Sequence, residues 1–223
     1  MPDTRLTLAG LKEHLRRHII VYIVGIILTV VLTDLLWTAT TPVIPDEQVV
    51  LIYMADRYSN AEPLSDIAAD MLARTQAADP NVRRVEFESL FFTTPDENYA
   101  GVMLLLTRLA TGEGDAFLAG ADAMDQLVSS GALLALDDYA GAGWLAGSGL
   151  EPYTVTTTDD ETGEEVTMLA GYRLDALDAL FDMQAFNNEG AFLAVAAGCR
   201  NVDSTLKAIE IMVEDLKDWS DAA

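Results

Sequence analysis

The chain has 223 residues, 51% of them hydrophobic, with 36 acidic against 13 basic side chains and a net charge of −23. That apolar content supports a packed core and excludes a disordered chain, and the length allows one ordinary domain plus an appendage. The charge excludes nucleic acid, whose phosphates need a basic surface, and docking on anionic lipid headgroups.

The single cysteine, Cys199, excludes an intrachain disulfide and a cysteine-built zinc site. Both histidines, His14 and His18, fall in the first 18 residues. The rest of the chain has no imidazole to activate a serine or cysteine nucleophile, or to ligate zinc or iron. The expectation is a protein without cofactor, metal or catalytic activity.

Residues 1–18 contain "RLTLAGLKEHLRRH", where Leu6, Leu8, Leu11 and Leu15 recur at helical spacing among basic residues. This reads as a cytoplasmic amphipathic helix on the inner leaflet or as an extension of the helix that follows. Residues 19–37 are apolar except for Thr29, Thr33 and Asp34. At 1.5 Å per residue the run spans roughly 28 Å, close to a hydrocarbon core of about 30 Å. Tyr22 and Trp37 are placed as interfacial anchors, and Asp34 lies near the outer end. Lys12, Arg16, Arg17 and His18 precede the run, so the positive-inside rule puts the N-terminus in the cytoplasm and the remainder outside. A cleaved signal peptide is the competing reading. The run is long for one, and "LWTATTP" has no small-x-small cleavage site. The expected location is the cell membrane, spanned once.

After residue 37 there are 9 basic and 33 acidic residues, a net of −24. Residues 38–47 form a proline-bearing linker, and 48–223 the extracytoplasmic domain. "QVVLIYMAD" is a continuous apolar run, as in a strand buried on both faces. In "AEPLSDIAADMLARTQAADP", Leu64, Ile67, Ala68, Met71 and Leu72 share a helix face. "NVRRVEFESLFF" alternates as a strand. The helix that follows carries Val102, Leu105, Leu106 and Leu109 on one face and ends at Gly112. "GEGDAFLAG" supplies a third strand, Asp115 to Ala119, running into a helix that starts near Asp122, the expected N-cap, with Gly131 as its C′ residue. Strand–helix three times in succession implies a parallel sheet with helices on both faces.

"YTVTTTDDETGEEVTMLAGYRL" reads as a hairpin turning at Glu161-Thr162-Gly163. The acidic cluster Asp159, Asp160, Glu161, Glu164 and Glu165 lacks the alternating spacing of a calcium loop and reads as a solvated tip. "AFLAVAAGCR" is a further buried strand. The final helix turns Leu206, Ile209, Val213 and Leu216 inward.

Within this order, "GEGDAFLAGADAMDQLVSSGALLALDDY" resembles the end of the first lobe of extracellular solute-binding proteins of ABC transporters. Gly131, Leu133, Leu136, Asp137 and Tyr139 match a glycine–leucine–leucine–aspartate–tyrosine pattern there. "GEEVTMLAGYRL" and "AFLAVAAGCRNVDSTLKAIEIMVEDL" resemble that family's hairpin strand and its return strand and helix. The resemblance implies an α/β three-layer sandwich with a mostly parallel sheet, a periplasmic-binding-protein-like single lobe behind a transmembrane helix. In that family a second lobe lies between the hairpin strand and the return strand. Here residues 173–190 fill the gap, too few for a domain. The hinged cleft is missing, so solute delivery does not carry over.

In such sheets ligands sit beyond the carboxyl ends of the strands. The candidates are Asp56, Arg57 and Tyr58 after the first strand, and Thr93 and Thr94 after the second. Gly120, Ala121 and Asp122 follow the third, with Tyr172 and Arg173 approaching from the hairpin. The arginines suit a carboxylate or phosphate, or neutralise neighbouring acids. Two functions follow as expectations. One is a membrane-anchored, non-enzymatic domain that binds a membrane or envelope protein. The other is a small-molecule receptor at the strand ends, built as a homodimer.

Overall fold

The computed structural model describes residues 8–40, 44–94, 97–139, 144–145, 147–158 and 165–222. It divides into two compact units, Met1–Val43 and Ile44–Ala223. The first is helix α1, Leu8–Thr40, interrupted at His18 by non-helical backbone (φ −116°, ψ 15°). Arg17–Thr38, with a mean hydropathy of 2.7, is long and apolar enough to cross a membrane. The side chains that carry the amphipathic reading of residues 5–18, and the expected hairpin turn at 161–163, lie outside the described residues.

The second unit is built from β1 (Val49–Asp56), α2 (Ser65–Ala78), β2 (Arg84–Phe91), α3 (Tyr99–Thr111), β3 (Ala116–Ala119), α4 (Ala121–Ser129), β4 (Pro152–Thr158), β5 (Glu165–Arg173), α5 (Asp178–Asp182), β6 (Phe192–Val195) and α6 (Val202–Ala222). The strands form one sheet in the order β2-β1-β3-β6-β5-β4. β1 pairs in parallel with β2 and β3, as three strand–helix units require.

The remaining three pairings, β3–β6, β5–β6 and β4–β5, are antiparallel. The sheet is therefore mixed, which corrects the expectation of a mostly parallel one. The reason is in the connections. A parallel pairing needs a crossover of a dozen or more residues that returns the chain to its starting edge. Only six residues separate β4 from β5, too few for a crossover, so the two strands run antiparallel. Residues 174–191 return no such crossover. They leave β5 at the carboxyl edge of the sheet and re-enter from that same edge as β6.

Both faces of the sheet are covered. Val50, Ile52 and Met54 of β1, Ala116 and Leu118 of β3, and Leu193 and Val195 of β6 pack with Ile67 and Met71 of α2 and with Ile209, Met212 and Leu216 of α6. The alternate residues Tyr53, Ala55, Phe117, Ala119, Phe192 and Ala194 pack with Val102 and Leu105 of α3 and Met124 and Leu127 of α4. The period-two alternation of each strand thus feeds two separate cores.

β5 breaks its own alternation. Tyr153 opposes Gly171 and Thr154 opposes Leu169, leaving Ala170 as an extra bulged residue. The bulge puts Leu169 and Tyr172, three apart, on the α2–α6 side, and Ala170 on the other. Asp137 reinforces the site by accepting the Leu169 N–H at 2.6 Å.

Asp79, just past α2, accepts hydrogen bonds from Ser204 Oγ (2.7 Å), Asn201 Nδ2 (3.2 Å) and the Asn81 N–H (3.0 Å), tying α2 to the start of α6. These bonds, the serine's foremost, lower its pKa from 3.8 to about 2. Its contribution to stability is complete above the ordinary carboxylate range and is lost as pH falls towards about 2. Urea melts of Asp79→Asn and the parent protein between pH 5 and pH 2 are expected to show the variant losing less stability on acidification. Gly171 supplies a steric test: a Cβ there would overlap the Leu193 carbonyl oxygen on β6. Gly171→Ala is expected to cost about 3 kcal/mol in the same melts, as overpacking of a site with no slack.

Candidate functional site

The register gathers the sequence-derived candidates at one edge. Asp56 pairs with Phe91, Ala55 with Ala119, Ala119 with Phe192, and Phe192 with Arg173. β1, β2, β3 and β5 therefore all end along one row. Their exit loops carry Asp56, Arg57, Tyr58, Thr93, Thr94, Gly120, Ala121, Asp122 and Arg173. Tyr172 is the exception. The bulge turns it into the α2–α6 core, where it is 1% exposed and its hydroxyl donates to the Trp144 carbonyl at 2.6 Å.

Asp56 is the centre of this edge. Its carboxylate lies against Gly120, so close that a Cβ on the glycine would sit 2.5 Å from Oδ1. Burial raises its pKa, Asp122 raises it further, and the Arg57 and Tyr58 amides and the Arg57 guanidinium pull it back. Asp122 is not the N-cap of α4. Gly120 occupies that position without a side-chain cap, and Asp122 lies within the first turn, where its charge still suits the helix dipole. Gly131 follows the helix in the left-handed region, φ 65°, as its spacing implies.

Thr93 is 5% exposed, and its hydroxyl has no hydrogen-bond partner among the described residues. The Thr94 carbonyl accepts the Glu97 and Asn98 N–H groups and leads into α3, whose N-cap is Asn98. Arg57 pairs with Glu97 at 2.7 Å, both side chains well exposed. Arg173 pairs with Asp175 at 2.9 Å, and its guanidinium lies 5.3 Å from the Phe192 ring centroid. Both arginines are thus engaged with acidic neighbours in exposed pairs of small worth.

The segment between β5 and β6 reaches back to this edge. The Tyr58 hydroxyl donates to the Gln184 carbonyl at 3.2 Å, and the Asn60 N–H to the Ala185 carbonyl at 2.7 Å. Ser59 and Phe186 form an antiparallel bridge. Gln184 holds positive φ, 56°, to make this turn. The β1 exit loop is consequently tied to residues 184–186 by backbone bonds.

The candidates in the sequence all lie towards this edge. Two cavities lie at the other one, flanking the turn Gly112–Gly114 that enters β3. Cys199, also there, donates to Thr205 Oγ1 at 3.4 Å, and burial pushes its thiol up to about 11, so it is no nucleophile at neutral pH.

The Asp56–Gly120 contact generates a coupled test. Gly120→Ala is expected to destabilise by about 1–3 kcal/mol, because φ of −63° suits alanine and only the carboxylate obstructs it. In the double variant with Asp56→Ala most of that cost should vanish. Additive losses in thermal melts would show that the contact is not the cause.

No protein-family model, no curated protein and no solved structure matches this chain.

Proposed function

We propose that the chain is a single-pass membrane protein whose exported α/β unit binds a partner protein at the membrane and carries out no catalysis. The observation that carries this reading is the outer face of α3. Tyr99 is 71% exposed, Met103 42% and Leu104 45%, while Val102 and Leu105 hold the helix to the sheet. Tyrosine and methionine on an unpartnered helix face are the residues that interface cores favour. The face starts directly after the β2 exit loop, at the carboxyl edge. The charge of the exported part selects a partner with a basic rim.

Three further features support the reading. α1 supplies a span of membrane length, and Lys12, Arg16 and Arg17 at the start of that span support an N-terminus inside. The resemblance to one lobe of an extracellular solute-binding protein places such domains outside the membrane. The bonds between residues 58–60 and 184–186 tie the β1 exit loop to the return segment, as suits a fixed surface. The alternative, a receptor for a small molecule at the carboxyl edge, draws on Asp56 and Thr93 and on a second copy to close the site.

A photo-crosslinking residue placed at Tyr99 or Met103 of the full chain in its native membrane tests the proposal. The expected result is a discrete adduct with another protein, lost in Leu104→Asp and not seen from Lys207 on α6. An adduct of twice the chain's own mass would replace the partner by a second copy. No adduct from either α3 position would overturn the reading.

A further inference from the structure

The two cavities at the amino edge of the parallel strands carry an inference independent of the partner-protein reading. The smaller, about 230 Å³, lies where α3 stops short of the β1–β2 sheet face. Its floor is Val49 and Leu51 of β1. The register sets Arg84 beside Val49 and Glu86 beside Leu51, so β2 lends the floor one charge of each sign. Arg108 enters from the last turn of α3 and Arg200 from the loop after β6. Three of the nine basic residues of the exported part therefore line one small cavity in a strongly acidic unit.

The cavity is a built feature. Gly112 (φ 66°) closes α3, and Gly114 (φ 91°) passes the Tyr53 ring where a side chain has no room. Asp115 follows, 8% exposed, and accepts the Leu51 N–H at 2.9 Å. It also accepts the Arg200 N–H, so it fixes the loop that aims Arg200. Arg108 sits over the Tyr53 ring, 5.7 Å from its centroid, and pairs with Glu88 and Glu113.

The partners of Arg84 and Arg200 leave these two available. Arg84–Glu86 spans 3.3 Å and Arg200–Asp46 2.5 Å, and Glu86 and Asp46 are exposed. Exposed pairs of this kind are held weakly, so a ligand carboxylate displaces them and gains charge-assisted, two-pronged hydrogen bonds. The displaced carboxylates then face a cation. A pocket with guanidiniums and carboxylates around an apolar floor suits a ligand that carries both charges. The volume lies below the range for drug-sized ligands, about 300–1,000 Å³, and so suits a molecule of few heavy atoms. The second cavity, about 370 Å³, shares the Gly112–Gly114 wall and is lined by Leu106, Leu109 and Ala132. It offers room for an apolar substituent.

We infer that this cavity binds a small zwitterion of the α-amino acid class. Arg84 and Arg200 take its carboxylate, Glu86 and Asp46 its ammonium, and an apolar side chain turns into the neighbouring cavity. Asp115 acts as a positioning residue through Arg200.

Isothermal titration of the full chain in detergent micelles, with L-leucine, glycine, acetate and butylamine as probes, tests this. L-leucine is expected to bind more tightly than glycine, and acetate and butylamine at least about tenfold more weakly than L-leucine, since each satisfies one charge only. The Arg84→Gln/Arg200→Gln double variant should lose about tenfold in affinity for L-leucine, while Lys217→Gln, remote on α6, keeps it. Amide NMR of the unmutated chain gives a readout that needs no variant, with shifts expected at Gly112, Gly114 and Arg200. Absence of heat and of shifts with both amino acids at about 10 mM would overturn the proposal. So would equal affinity for acetate, or shifts confined to the Asp56 edge.

Discussion

Four buried residues, Phe192 to Val195, hold the two halves of the sheet together. β6 pairs with β3 on one side and with β5 on the other, and every one of its side chains is buried, two on each core. Without it β3 and β5 would each expose a row of unpaired amide and carbonyl groups. The parallel half, β2-β1-β3, and the pair β4–β5 would then be separate sheets, the second too small to stand alone. Much else follows from seating this strand. Its entry requires residues 174–191 to turn back at the carboxyl edge, which ties 184–186 to the β1 exit loop. Its exit delivers Cys199 and Arg200 to Asp115 at the opposite edge.

The two edges consequently differ in character. The carboxyl edge is laced by backbone bonds between loops and bordered by the apolar outer face of α3. That combination suits a protein surface better than a closing cleft. The amino edge, where α3 stops short and the glycines of the Gly112–Gly114 turn keep side chains out of the way, retains open volume lined by both charges. The proposed docking face and the proposed small-molecule site fall at opposite ends of the sheet.

Much of this architecture is legible in the amino-acid order, for identifiable reasons. Fully buried strands read as unbroken apolar runs, so β1, β3 and β6 stand out. The α3 face of Val102 and Leu105 follows from helical spacing. The direction of β6 does not follow, because an apolar run buried on both faces is also what a parallel strand shows. Tyr172 is misplaced for a related reason: the extra residue at Ala170 shifts the alternation, and nothing in "MLAGYRL" announces a bulge except its glycine. The amino-edge cavity draws Arg84, Arg108 and Arg200 from three distant segments, each unremarkable alone. The available signals were the scarcity of basic residues and two glycines astride Glu113, before the strand rather than after it.

The insertion of β6 is the point on which these consequences converge, and hydrogen exchange of the full chain tests it most directly. The amides of Phe192–Val195 are expected to exchange with those of Ile52–Ala55 in the slowest class, through global unfolding alone. The Asn60 amide, bound to the Ala185 carbonyl, should share much of that protection. If residues 174–195 instead exchanged together and faster than β1, the return segment would open as its own unit. The single continuous six-stranded sheet would then be contradicted.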